Sequence, residues 1–198
     1  MRGGHFFATG SEAVELLVKG EQVQDYACNK LFLARLFNEV KFPEGKSFED
    51  VATMFRLFLR AEHVVGIDKP LYNYLQRDSS IVHSGALKHE IDCYFAHFER
   101  YLLLSSGFPT VRWKLMDHLA HASVKVWGTA LSDPDWRKYH PELREISQTV
   151  SDNRISILKH TQLGLAGRLV LRLIAYDSPC SFFLSRIIYI VYHWKNKN

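Results

Sequence analysis

The sequence predicts a predominantly helical α+β chain, with a few short strands in residues 1–84 and helices alone in residues 85–198. Three observations predict it. Apolar residues recur at helical spacing along most of the chain, and only two short stretches between 63 and 75 read as strands. The composition also changes near His83-Ser84-Gly85, after which every periodic stretch is helical. With 47% apolar and 23% charged residues in 198, the chain can bury a core and is not of disordered composition.

The elements follow in order. Residues 11–19 begin with Ser11 as a cap and keep helical spacing to Gly20. A second helix is expected over Tyr26–Phe37, because Leu31, Phe32, Leu36 and Phe37 do not alternate. Phe42-Pro43-Glu44-Gly45-Lys46 reads as a turn. A helix over Glu49–Ala61 places Val51, Phe55, Phe58 and Leu59 on one face. Its first turn holds Glu49 and Asp50, where the helix dipole favours negative charge. His63–Ile67 reads as a strand, and so does Leu71–Leu75, with Tyr72 and Tyr74 packing on a sheet. Residues 76–85 form a loop. Helices are expected at 86–105, 110–130, 141–160, 164–176 and 179–194, broken at Gly107-Phe108-Pro109, Asp133-Pro134-Asp135 and Ser178-Pro179.

Five short blocks keep a fixed order between Cys28 and Ile81. They are Cys28-Asn29-Lys30-Leu31-Phe32, Arg35-Leu36-Phe37, Phe42 to Asp50, Pro70-Leu71-Tyr72-Asn73-Tyr74, and Arg77-Asp78-Ser79-Ser80-Ile81. In this order the segment resembles the second, acceptor-side half of the catalytic domain of bacterial family 2 glycosyltransferases, with Cys28 where a Trp is common. The resemblance implies an incomplete GT-A-type α/β catalytic half over residues 1–84, followed by a helical extension over 85–198. It implies transfer of a sugar from a nucleotide-diphosphate sugar to an acceptor hydroxyl, in surface polysaccharide or glycolipid assembly. Glycosyl transfer with inversion needs a general base for the attacking hydroxyl. By resemblance that base is Asp50, with Glu49 beside it, and Asn29, Lys30 and Arg77 bind substrate. Arg77 suits the donor diphosphate, since a guanidinium matches phosphate oxygens. His83 in the same loop is a weaker candidate as a phosphate or metal neighbour.

The family holds Mg²⁺ or Mn²⁺ and the diphosphate on an Asp-x-Asp type motif in a preceding Rossmann-like half. That motif does not precede residue 28, and Asp133-Pro134-Asp135 matches it in letters only, as a turn. The chain is therefore expected to be a truncated or split enzyme, inactive alone. His89, Cys93 and His97 share a helix face, but i and i+8 lie about 12 Å apart, too far for one metal ion. Three scattered cysteines without a Cys-x-x-Cys point to reduced thiols and a cytoplasmic setting. The amino-terminal Met-Arg-Gly-Gly-His lacks an apolar signal core, and no run reaches the ~20 apolar residues of a membrane span.

Residues 154–198 carry seven Lys/Arg against one acid, Asp177, for a net +6, while the first 153 residues net −2. Arg168, Arg172 and Arg186 stand among aliphatic and aromatic residues there. Residues 164–195 thus fit a helix on an anionic membrane surface, at the inner face of the cell membrane. No nucleic-acid-binding module is present. The alternative to a transferase is a non-catalytic helical interaction or membrane-peripheral module.

Overall fold

Thr9 sets the first helix. Its hydroxyl accepts from the Glu12 N–H at 3.3 Å, and the Glu12 carboxylate accepts from the Thr9 N–H at 2.8 Å, a capping box. Helix α1 therefore spans Gly10–Lys19, capped by Thr9 and not by the expected Ser11, and Gly20 closes it at φ 68°. The computed structural model describes residues 5–73, 75, 86–176, 178, 184, 185, 187 and 188. The chain forms two compact units, residues 1–84 with 96–112, and residues 85–95 with 113–198. The predominantly helical α+β class stands.

In the first unit, strand β1 (Phe6–Thr9) pairs antiparallel with β2 (His63–Gly66), Phe7 opposite Val65. Strand β2 lies where the sequence places one. β1 is too short for its alternation to be read. Residues 71–73 and 75 are not a strand: Leu71, Tyr72 and Leu75 are exposed, so no buried face stabilises pairing. Tyr74 lies outside the described residues.

The helix expected over 26–37 is also absent. Only Ala34–Phe37 forms a short 3₁₀ turn. Leu31 is fully exposed and Leu33 largely so, so the apolar residues share no buried stripe that would hold a helix. Phe32, Phe37 and Phe42 instead form an aromatic chain, with centroids 5.6 and 6.2 Å apart.

Helix α2 (Glu49–Arg60) buries Val51, Met54, Phe55, Leu57 and Phe58. Leu59, expected on that face, is exposed. The unit's core is this face against Ala13, Val14, Leu17 and Val18 of α1. Gly10 allows the close approach: a Cβ there would sit 2.1 Å from the Phe58 carbonyl oxygen and 2.3 Å from that of Ala61.

Helix α3 (Leu87–Leu104) gives residues up to Phe95 to the second unit and the rest to the first. The second unit adds α4 (Arg112–Ala130, from Trp113), α5 (His140–Asp152), α6 (Arg154–His160) and α7 (Leu165–Ile174). The stretch expected as one helix over 141–160 breaks at Asn153, which leaves helical geometry at φ −103°, ψ 10°. The core here includes Leu115, Leu119, Ile146, Val150, Leu171 and Ile174. Arg168 donates to the carbonyls of Leu158, Thr161 and Leu163 at 2.7–3.0 Å, so it anchors the α6–α7 turn. Most of the helix expected at 179–194 lies outside the described residues. Among the described residues no helix is long and apolar enough to cross a membrane.

Candidate active site

The candidate residues gather where α2 begins. Phe48 precedes the helix in the left-handed region, at φ 57° and ψ 36°, an uncommon place for a bulky side chain. Glu49 and Asp50 then occupy the first turn. Asp50 is half-buried, and among the described residues its carboxylate accepts one hydrogen bond, from the Val51 N–H at 2.7 Å. Burial pushes the Asp50 carboxyl up from its ordinary range, and the charges of Asp25 and Glu49 add to this. The Val51 N–H and the Arg100 guanidinium oppose the rise without cancelling it.

The loop between α1 and the 3₁₀ turn brings Lys30 into the same field. Its ammonium donates to the Tyr26 carbonyl at 2.5 Å and to Asn29 Oδ1 at 2.8 Å. Burial pushes the Lys30 pKa down, against the support of Asp25, Cys28 and Asp50. Asn29 is exposed and acts here as an acceptor for its neighbour. The charges of Glu49 and Lys30 thus both act on Asp50, and Asn29 is tied to Lys30 by its hydrogen bond. Arg77 and His83 lie outside the described residues.

Two residues of this neighbourhood escape the sequence motifs. Arg100, on the part of α3 that belongs to the first unit, is 1% exposed. It donates from both terminal nitrogens to the Asp25 carboxylate and from Nη2 to the Val51 carbonyl at 2.6 Å. Asp25 and Arg100 are 75 residues apart, so no local motif links them. The one signal in the sequence is spacing: Ala96, Arg100 and Leu104 make an i, i+4, i+8 stripe, and all three are buried.

Among the described residues no three His, Cys, Asp or Glu side chains converge on one point. Asp133 accepts from the Asp135 N–H at 2.7 Å, and Asp135 pairs with Lys138 at 2.8 Å, so the Asp-Pro-Asp segment is a self-satisfied turn. A shallow depression beside β1 and α1, lined by Phe6, Glu12, Glu15 and Lys19 among others, includes none of the candidate residues.

Over 92 residues the chain is 37% identical to the glycosyltransferase GlyG of Streptococcus pneumoniae serotype 4 (strain ATCC BAA-334 / TIGR4). The match covers 39% of this chain and 31% of that relative's length. No protein-family model and no solved structure matches the chain.

Proposed function

We propose that this chain carries the acceptor side of a family 2, GT-A-type glycosyltransferase, with Asp50 as the general base. The observation that carries the proposal is Asp50 itself. It is a carboxylate in the first turn of α2, with one hydrogen bond among the described residues, and burial, helped by the charges of Asp25 and Glu49, keeps its proton affinity high. A base works best when its pKa lies nearer the working pH than an ordinary carboxylate does. Likeness to a glycosyltransferase over 92 residues supports the reaction class.

In this scheme Asp50 takes the proton of the acceptor hydroxyl as its oxygen bonds to the sugar carbon and the nucleoside diphosphate leaves. Lys30 and Asn29 hold the acceptor beside it, and the charge of Glu49 adds to the rise that burial gives Asp50. The nucleotide-binding half is supplied by polypeptide beyond this chain. The β1–β2 pair supports this, because its paired Phe7 and Val65 are 68% and 62% exposed, an apolar face open to further polypeptide.

The test is Asp50→Asn in the enzyme reconstituted with a nucleotide-binding half. Loss of a general base lowers the rate by about 10²–10⁴. A variant within a few-fold of the parent removes Asp50 from this role. Micromolar binding of a sugar nucleotide to the isolated chain, measured by calorimetry, contradicts the placing of the donor site elsewhere.

One observation favours a second role beside the first, peripheral contact with an anionic membrane. Leu165, Leu169 and Arg172 are exposed along one stripe of α7, and exposed Tyr176 follows it. The Arg168 guanidinium is held by three carbonyls, so Arg172 is the exposed cation of this stripe among the described residues. Co-flotation with phosphatidylglycerol vesicles that Leu169→Glu abolishes is the expected result, and no flotation of the parent chain removes this role.

A further inference from the structure

We infer that Arg100 is a positioning residue for Asp50, its guanidinium clamping the first turn of α2 onto the loop that carries Asp25 and Lys30. Its catalytic meaning rests on Asp50 being the base, whereas the clamp itself rests on geometry. Arg100 is among the largest fully buried side chains in the described chain. A buried guanidinium is stable only where acceptors surround it. Here the acceptors are both oxygens of Asp25 and the Val51 carbonyl. The Phe55 ring lies 5.5 Å from the guanidinium carbon, and Nε has no hydrogen-bond partner among the described residues. The guanidinium is thus oriented by two acceptor groups from segments remote in sequence.

Val51 is the link to Asp50. Its N–H donates to Asp50 Oδ1 at 2.7 Å, and its carbonyl accepts from Arg100 at 2.6 Å. One residue of α2 is therefore held by the proposed base at one end and by Arg100 at the other. The planar fork of Arg can bond a carboxylate bidentately and reach a carbonyl as well, and the single ammonium of Lys cannot reproduce that geometry. The charge acts in the same place. The charged groups around Asp50 are Asp25, Glu49, Lys30 and Arg100. Without Arg100, Asp25 keeps only the Lys30 charge in this cluster, and its like charge weighs more heavily on Asp50.

Two readouts on the 198-residue chain test this: the carboxyl-carbon NMR titration of Asp50, assigned through Asp50→Asn, and the exchange rate of the Val51 amide. Arg100→Met is expected to move the Asp50 titration to higher pH, and Asp25→Asn to move it to lower pH. Arg100→Lys, which keeps the charge and loses the fork, is expected to shift the titration least and to speed Val51 exchange by about tenfold or more, as local opening becomes easier. An Asp50 titration that is the same in Arg100→Met and the parent overturns the inference. If Arg100→Met does not fold, Asp25→Asn and Arg100→Lys decide: an unmoved titration in the first together with unchanged Val51 exchange in the second overturns it. Failure of the base proposal is seen separately. If Asp50→Asn keeps transfer activity while the titration shifts occur, the clamp stands and its catalytic meaning falls.

Discussion

Asp50 in the first unit and Asp117 in the second are both carboxylates withdrawn from water on a helix, and their electrostatic states are opposite. Asp117 accepts from the Gln162 N–H at 2.8 Å, from Lys114 at 3.0 Å and from the Thr161 hydroxyl at 3.4 Å, with the His121 ring 3.1 Å away. Burial alone pushes the Asp117 carboxyl up. The Gln162 and Lys114 bonds and the neighbouring His121 and Lys114 charges outweigh burial and hold it below the ordinary range. Asp50 has one bond among the described residues, and the charges of Asp25 and Glu49 add to burial while Arg100 opposes it, so burial prevails and its carboxyl stays above that range. A carboxylate that joins two elements is surrounded by donors. One left short of donors beside other carboxylates, next to a left-handed Phe48, does not stabilise the fold by its charge. Such imbalance is what the proposed role of Asp50 as a base requires.

The largest effect that could break this contrast is kinetic. Asp50→Asn removes the only base in the scheme, and the transfer rate of the reconstituted enzyme is expected to fall about 10²–10⁴-fold with folding intact. Next comes Arg100→Met. Breaking a buried ion pair costs about 3–5 kcal/mol, and because Asp25 keeps some contact with water the expected loss is near the lower end, read by urea unfolding. Asp117→Asn leaves donors around the Thr161–Gln162 turn poorly matched, and about 1–3 kcal/mol of stability should go with it.

The pH dependence separates the two carboxylates by sign. The folded pKa of Asp117 lies below its unfolded value. Its contribution is therefore present above the ordinary carboxylate pKa and is lost as pH falls through the folded value. For Asp50 the folded pKa lies above the unfolded one, so ionising it costs stability as pH rises through the carboxylate range. Unfolding measured from pH 3 to 7 should then show a flatter acid limb in Asp117→Asn and a gain at neutral pH in Asp50→Asn. The smallest effect sits outside both sites: Thr9→Ala removes half of the α1 capping box and should cost about 1 kcal/mol.

The two regions also differ in how far the sequence discloses them. Helix α2 is legible because Val51, Phe55 and Phe58 recur on one face and Glu49 and Asp50 mark its start. The second-unit helices are legible for the same reason, except at Asn153, where one residue breaks the continuous spacing. The stretch 26–37 misleads because apolar letters there do not become buried residues: Leu31 and Leu33 stay exposed, and aromatic contacts to Phe42 replace a helix face. The candidate site was half legible. Asn29, Lys30, Glu49 and Asp50 stand in ordered blocks. Asp25 and Arg100 meet only because the chain returns to the first unit after residue 95, a long-range closure that no local pattern encodes. An arginine inside the buried Ala96–Arg100–Leu104 stripe is the trace it leaves in the sequence.

The most direct test of the contrast sets Asp50→Asn beside Asp117→Asn in the same reconstituted enzyme, with transfer rate per folded molecule and urea midpoint measured for each. The expected result is a rate loss of about 10²–10⁴ in Asp50→Asn without a loss of stability, and a lower midpoint with an unchanged rate in Asp117→Asn. A transfer rate in Asp50→Asn within a few-fold of the parent contradicts the assignment of Asp50 as the base.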